Sequence, residues 1–301
     1  MAAQAKSTWY NYYKLTRLHK FPHGNILSFW PAAWALAMAA FSINLPFRKL
    51  LAQTFMFAVR STLLHSAACI LNDICDIDFD RQVERTKNRP LVTGAISVTG
   101  ATILLSTFVL ASIVLLAMCS PSVLLWGLPG IFPFHALYPL MKRWTWWPQA
   151  WLGLAMNWSV LVAWISITGR INLQTVGILF AGTICWTIVY DTIYACQDRK
   201  DDIAAGIKST ALLFGTYICP ILYLFTAAFI ACLTYAGISN HQGLPFFLIS
   251  VGGAVAFFVW QFVTWHVDDV NDCAAKFAAN GNLGLIIWVG MILDYYWKTV
   301  L

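Results

Sequence analysis

Asn72, Asp76 and Asp80 recur at four-residue intervals, and Asp198 and Asp202 repeat that interval further along the chain. On a helix the spacing sets such side chains on one face, each about 40° from the last. Asp191 lies two turns before Asp198 on the same face. Two oxygen-bearing stripes facing each other cannot stay ionised without cations. Hard donors of this kind suit Mg²⁺, which takes few carboxylates and completes its shell with substrate phosphates. The plainer alternative is a solvated, acid-rich helix end. Against it stands the rest of the chain, where acids are scarce. Of thirteen, five lie in the first segment (Asp73, Asp76, Asp78, Asp80, Glu84) and four in the second (Asp191, Asp198, Asp201, Asp202). Asp268, Asp269 and Asp272 form a third group, and Asp294 stands apart.

Basic residues keep close to both stripes. Arg81, Arg85, Lys87 and Arg89 follow the first, Lys142 and Arg143 come between, and Arg199, Lys200 and Lys208 follow the second. Beside bound magnesium they would neutralise a diphosphate. Part of the same pattern is a topological signal, and spacing alone does not separate the two readings for Lys142 and Arg143.

The elements that must position these groups are transmembrane. The 301 residues are 59% hydrophobic and 11% charged, with a mean hydropathy of +0.67, whereas soluble domains carry roughly 25% charged residues. Nine apolar stretches, at about 25–43, 51–72, 98–118, 121–140, 147–168, 173–195, 211–236, 245–266 and 283–299, are of the length a spanning helix needs, about 20 residues. The expected fold is all-α and polytopic, with residues 1–301 as a single transmembrane domain. The eight cysteines form no paired CxxC clusters, which argues against a zinc site or a disulfide framework. The net charge of +6 points to anionic lipid headgroups rather than nucleic acid.

Lys and Arg set the orientation. With the N-terminus inside, fourteen fall on inside segments and four (Arg48, Lys49, Arg170, Lys298) on outside ones, while Arg60 is intramembrane. Residues 1–23 hold Lys6, Lys14, Arg17 and Lys20 without an acid, crowded by Trp9, Tyr10, Tyr12 and Tyr13. They read as an interfacial amphipathic segment. The polar loops 74–97 and 196–210 both follow even-numbered spans, so both should cap the cytosolic face.

Asn72-Asp73-Ile74-Cys75-Asp76-Ile77-Asp78-Phe79-Asp80 resembles the NDxxDxxxD signature of the UbiA-type intramembrane aromatic prenyltransferases. The continuation DRQVERTKNRPLVTG matches that family's next loop. DTIYACQDRKDDIAAGIKSTA, from Asp191 to Ala211, resembles its second signature. Tyr138-Pro139-Leu140-Met141-Lys142-Arg143 resembles its YPxxKR, and Arg17-Leu18-His19-Lys20-Phe21-Pro22-His23-Gly24 its RLxKPxG opening. The resemblance implies nine helices around a central cavity and two Mg²⁺ ions bridging a prenyl diphosphate. Asn72, Asp76 and Asp80 would serve one ion, Asp198 and Asp202 the other. Arg81, Lys87, Arg89, Lys142, Arg143, Arg199 and Lys208 would meet the diphosphate.

The wording is most similar to that of the fungal meroterpenoid branch, which implies farnesyl transfer to a small phenolic acceptor such as an orsellinic-type acid. It also implies an endoplasmic-reticulum membrane rather than the mitochondrial inner membrane. A 4-hydroxybenzoate polyprenyltransferase of ubiquinone biosynthesis is the alternative. His65 stands where relatives commonly carry Arg. It lies on the Asn72 face, about 10 Å deeper, where an acceptor or the first isoprene unit would sit; a buried structural histidine is the competing reading. Arg60 is rotated about 120° from Asn72 and should face a neighbouring helix or the opposite interface.

In such a site the cations would stabilise the departing diphosphate, and the allylic cation left behind would be kept from water. Tyr138, Trp158, Tyr190 and Tyr194 are candidate aromatic faces for it. Asp191 is the candidate for steering the acceptor or taking its phenolic proton, with Tyr138 and Lys142 beside it. A secondary transporter would also need intramembrane acids, but these cluster at one face and no inverted repeat is evident. A non-catalytic assembly subunit would have no need of two complete stripes.

Overall fold

The structure, a computed structural model, describes residues 8–22 and 24–300, so Lys6 and His23 lie outside the described residues. A short helix, α1 (Thr8–Leu15), precedes the bundle. Then come α2 (Asn25–Ile43), α3 (Phe47–Cys75), the one-turn α4 (Ile77–Asp80), α5 (Val98–Ala117), α6 (Pro121–Pro129), α7 (Ala136–Trp144) and α8 (Pro148–Thr168). The second half holds α9 (Ile178–Ala195), α10 (Arg199–Ala205), α11 (Thr210–Phe214), α12 (Ile218–Ser239), α13 (Gly252–Val263) and α14 (Val270–Val300). Among the described residues, nine helical stretches are long and apolar enough to cross a membrane. Pro129 and Pro133 break the fourth between α6 and α7, since proline cannot donate to the helical ladder.

The innermost helix is α2, whose residues from Trp30 to Phe41 are all buried. Its alanines (Ala32, Ala33, Ala35, Ala37, Ala39, Ala40) let α3, α8 and α14 approach closely. Two indoles pin it to α14: Trp30 Nε1 donates to Gly281 O at 2.9 Å and Trp34 Nε1 to Gly284 O at 3.0 Å. A Cβ on Gly284 would collide with the Trp30 ring. The outward faces instead expose Leu51, Phe55, Ile103, Leu110, Leu224, Leu248 and Val259. Apolar surface of that extent is stable only against lipid, and the chain is a multi-pass membrane protein.

The ninth helix begins at Val270, not near 283 as hydropathy suggests. Polar residues in its first turns hid it, and the fold uses each of them. Asp272 accepts from His266 N at 2.6 Å, Lys276 Nζ donates to Thr264 Oγ1 at 2.7 Å, and Asn280 Nδ2 donates to Gln261 Oε1 at 2.9 Å. The second span likewise starts at Phe47 rather than 51.

Both Asp-bearing segments come to one end of the bundle. Their sidedness is checked by cysteine labelling. Lys87→Cys and Lys200→Cys, at exposed positions in a background cleared of reactive native thiols, should both react from the cytosolic side of sealed vesicles. Labelling from the other side would reverse the orientation expected from the basic residues.

Candidate active site

α3 ends at Cys75, and Asp76 sits at the break with φ −107° and ψ 14°. This sparsely populated bridge region is common among active-site residues. The i→i+4 bonds continue through the break, Asp76 N to Asn72 O at 2.9 Å and Asp80 N to Asp76 O at 2.8 Å. Asn72, Asp76 and Asp80 therefore remain one column although the helix kinks. The second motif uses the same device: Asp198, at φ −104° and ψ 6°, separates a short 3₁₀ turn from α10.

Arginines join the motifs. Arg85, from the first cap loop, forks onto Asp198, with Nε to Oδ1 at 3.0 Å and Nη2 to Oδ2 at 2.6 Å, and lies over the Tyr194 ring. Arg143, ending α7, donates to Asp76 Oδ1 at 3.1 Å and Cys75 O at 2.7 Å and stacks on Phe79. Arg89 Nη1 reaches Asp80 Oδ2 at 2.6 Å and Asp73 Oδ1 at 2.9 Å. Lys208 N donates to Lys142 O at 3.0 Å, fastening the second cap to α7.

The acids are under-neutralised even so. Burial pushes the Asp80 carboxyl above the usual carboxylate range, and Arg89 only partly offsets it. The carboxylates of Asp191 and Asp202 make no hydrogen bond or ion pair among the described residues, although the charge of Lys142 reaches both. No three acidic, histidine or cysteine groups among the described residues converge tightly enough to grip an ion alone. The donors still suit magnesium. Asp76 and Asp80 each keep one oxygen unspent, Asp202 keeps two, and the Asn72 amide is unengaged. Mg²⁺ characteristically takes one or two carboxylates and draws its other ligands from phosphate and water.

Below the acids lie Tyr138, Asp191 and His65. Each is surrounded by protein yet keeps some accessible surface. The His65 Nε2 is 3.5 Å from Cys69 Sγ. Gly24, at φ +75°, crosses over the imidazole so closely that a Cβ there would sit 3.2 Å from the ring. Glycine alone adopts that backbone freely.

Several expected members are turned elsewhere. Tyr190 is 1% exposed, receives Thr187 Oγ1 at 3.2 Å and packs against Trp186 and Phe277, so it is a wall support without free surface. Trp158 is held among Trp126, Phe134 and Phe180, its indole donating to Trp126 O at 2.6 Å. Arg81 and Lys87 are drawn into exposed i,i+3 pairs with Asp78 and Glu84, of the kind worth little to stability. Arg199 lies 3.8 Å from Asp268, and Lys208 lies over Trp146. Arg60 is buried over Phe57 without an ion pair among the described residues, facing the turn at Cys119. Arg85, one of the basic residues expected beside the diphosphate, is brought onto Asp198, and the site also contains two residues the sequence reading did not place in it, Arg17 and Asp73. Arg17 lies in the RLxKPxG-like opening, the one signal that could have found it.

A sequence profile described as "UbiA prenyltransferase family" matches residues 28–286. The chain is 48% identical to "UbiA prenyltransferase claS" of Ampulloclitocybe clavipes, over 98% of this chain and 94% of the relative. It is 39% identical to "4-hydroxybenzoate polyprenyltransferase, mitochondrial" of Drosophila melanogaster, over 96% of this chain and 72% of the relative. Among solved structures, the fold is similar to that of a UbiA homolog from Aeropyrum pernix K1, with a TM-score of 0.73 and 23% identity over 89% of this chain and 97% of the other. It is also similar to a UbiA homolog from Archaeoglobus fulgidus solved with GPP and Mg²⁺, with a TM-score of 0.69 and 18% identity over 97% of this chain and 100% of the other.

Proposed function

From the premise that the chain belongs to the UbiA prenyltransferase family and is a prenyltransferase, we propose that it transfers farnesyl from its diphosphate to a ring carbon of a small phenolic acceptor, in meroterpenoid biosynthesis. The observation that carries this reading is the Arg85–Asp198 fork. It joins the two carboxylate motifs, and the prenyl chain and acceptor would lie below them beside Tyr138, Asp191 and His65. The greater similarity to the fungal relative than to the mitochondrial ones favours the meroterpenoid branch and an endoplasmic-reticulum membrane.

Asn72, Asp76 and Asp80 would hold one magnesium ion, and Asp198 and Asp202 a second. Bound there, magnesium supplies Lewis-acid neutralisation of the diphosphate oxygens. Arg85, Arg89, Arg143 and Lys142 stand around the same place and stabilise the charge that grows on the diphosphate as it leaves. The bundle excludes water from the allylic carbon below. Tyr138 and Tyr194 offer ring faces to the positive charge. The allylic C–O bond to the diphosphate breaks, an electron-rich ring carbon of the phenol forms the new C–C bond, and that carbon then loses its proton to a base as the ring regains aromaticity. Asp191, whose carboxylate has no pairing partner among the described residues, receives the phenolic proton or orients the hydroxyl. His65 borders the acceptor.

The test is an assay of the purified protein in detergent. Geranyl, farnesyl and geranylgeranyl diphosphates are offered against a panel of phenols with and without a carboxylate, and products are identified by mass. Farnesylated phenol that requires Mg²⁺ is expected. His65→Ala should change which acceptor or donor is preferred while the magnesium requirement stays. Exclusive use of 4-hydroxybenzoate with long polyprenyl donors would replace this reading with the ubiquinone-pathway one. Transport of a solute without release of diphosphate would overturn both.

A further inference from the structure

Asp73 follows Asn72 in the first motif but is not built like its neighbours. Its side chain is 1% exposed. Arg17 Nη2 donates to Oδ1 at 2.7 Å and to Oδ2 at 2.9 Å, while Arg89 Nη1 lies 2.9 Å from Oδ1. Both oxygens are thus taken by guanidinium groups, one from the N-terminal segment and one from the first cap loop. Asp76 and Asp80 each keep an oxygen unspent.

The segment carrying Arg17 is itself firmly seated. Leu15 is buried against Ile70, Leu91, Ile96 and Ala101, with Tyr12 beside them. Arg17 takes a left-handed backbone, φ 63°, which is uncommon for a residue with a side chain, and its Nη1 donates to Lys14 O at 3.2 Å. Nearby cations crowd this corner: burial first, then Arg17, Arg85 and Arg89, push the Lys20 ammonium below its usual value. Like charges at this range repel strongly where water is scarce. An acid between Arg17 and Arg89 removes that repulsion. It also leaves unspent N–H donors on both, because a guanidinium carries five.

We infer that Asp73 is a positioning residue and not a metal ligand: it holds Arg17 and Arg89 side by side as a paired clamp for a diphosphate, and so makes the N-terminal segment part of the donor site. The inference rests on the reading above that the site takes a prenyl diphosphate.

The test measures binding of inorganic diphosphate with Mg²⁺ to the full-length protein in detergent by calorimetry, alongside farnesyl transfer. The sign of the result is informative. Removing a negative charge would by itself tighten the hold on an anion, so weaker binding in Asp73→Asn reports lost position. Weakening of about tenfold or more is expected, the scale of a charge-assisted hydrogen bond. The magnesium concentration for half-maximal rate should stay within about threefold, and Asp73→Glu should recover part of the binding. Arg17→Lys keeps the charge but loses the fork and should weaken binding in the same way, which serves if Asp73→Asn does not fold. Unchanged or tighter diphosphate binding in Asp73→Asn would overturn the clamp, as would a magnesium requirement raised in parallel with the loss of rate. Wild-type protein that binds no diphosphate at all would overturn the prenyl-diphosphate reading itself and the clamp with it.

Discussion

Asp76→Ala and Asp198→Ala should each lower prenyl transfer by about a hundredfold or more, the scale of removing one group that stabilises developing charge, in protein that remains folded in detergent. Each substitution removes a carboxylate and releases an arginine. Asp76 offers its unspent oxygen to the metal and holds Arg143 with the other. Asp198 holds Arg85 through both oxygens and would hold magnesium through the lone pairs that the guanidinium leaves. Without Asp198 the two caps lose the pair that joins them. Asp78→Ala is the internal control, because Asp78 belongs to the same motif, yet its side chain is 85% exposed and among the described residues meets only Arg81. It should stay near the wild-type rate. Retention of more than about a tenth of that rate by Asp76→Ala or Asp198→Ala would sink the two-ion assignment.

What could be read from the sequence were the quantities periodicity fixes. Asn72, Asp76 and Asp80 form a column because the i→i+4 ladder runs through the kink at Asp76. Eight of the nine spans stand out because lipid demands unbroken apolar runs. The ninth was read short because Asp272, Lys276 and Asn280 look like a loop until their partners on the neighbouring segment are known.

Direction is a different matter. Arg81, Arg85, Lys87 and Arg89 carry the same charge in one loop, and only the turn geometry after α4 decides their ends. Arg85 and Arg89 swing onto the acids, while Arg81 and Lys87 pair with Asp78 and Glu84 at the surface. Tyr190 and Tyr194 are one turn apart on α9, yet Tyr190 is sealed in the core and Tyr194 lies beneath Arg85. Asp73 was legible as an acid but not as a partner of Arg17, because that contact depends on where the N-terminal segment lies down.

The fold that aims these groups should fail first at Trp186. This indole is fully buried and lies against Trp34, Tyr190 and Phe229 at ring distances of 4.9, 5.1 and 6.1 Å. Its Nε1 donates to Asn280 Oδ1 at 2.8 Å, and Asn280 continues to Gln261. A single side chain thereby ties α9 to α2, α12 and α14, just below Asp191. Trp186→Ala leaves a large void and an orphaned amide oxygen, costing about 3–5 kcal/mol for the void and about 1–3 for the oxygen. Trp186→Phe keeps most of the ring and loses chiefly the hydrogen bond. The thermal midpoint in detergent should therefore fall by about 6 °C or more for the alanine variant, and by clearly less for phenylalanine. Tyr190, left without the ring it leans on, would no longer hold the Asp191 turn, so the acceptor KM should rise in the alanine variant while diphosphate binding, made by the caps, changes little. Equal midpoints for the two variants would show that packing around Trp186 contributes nothing beyond its hydrogen bond.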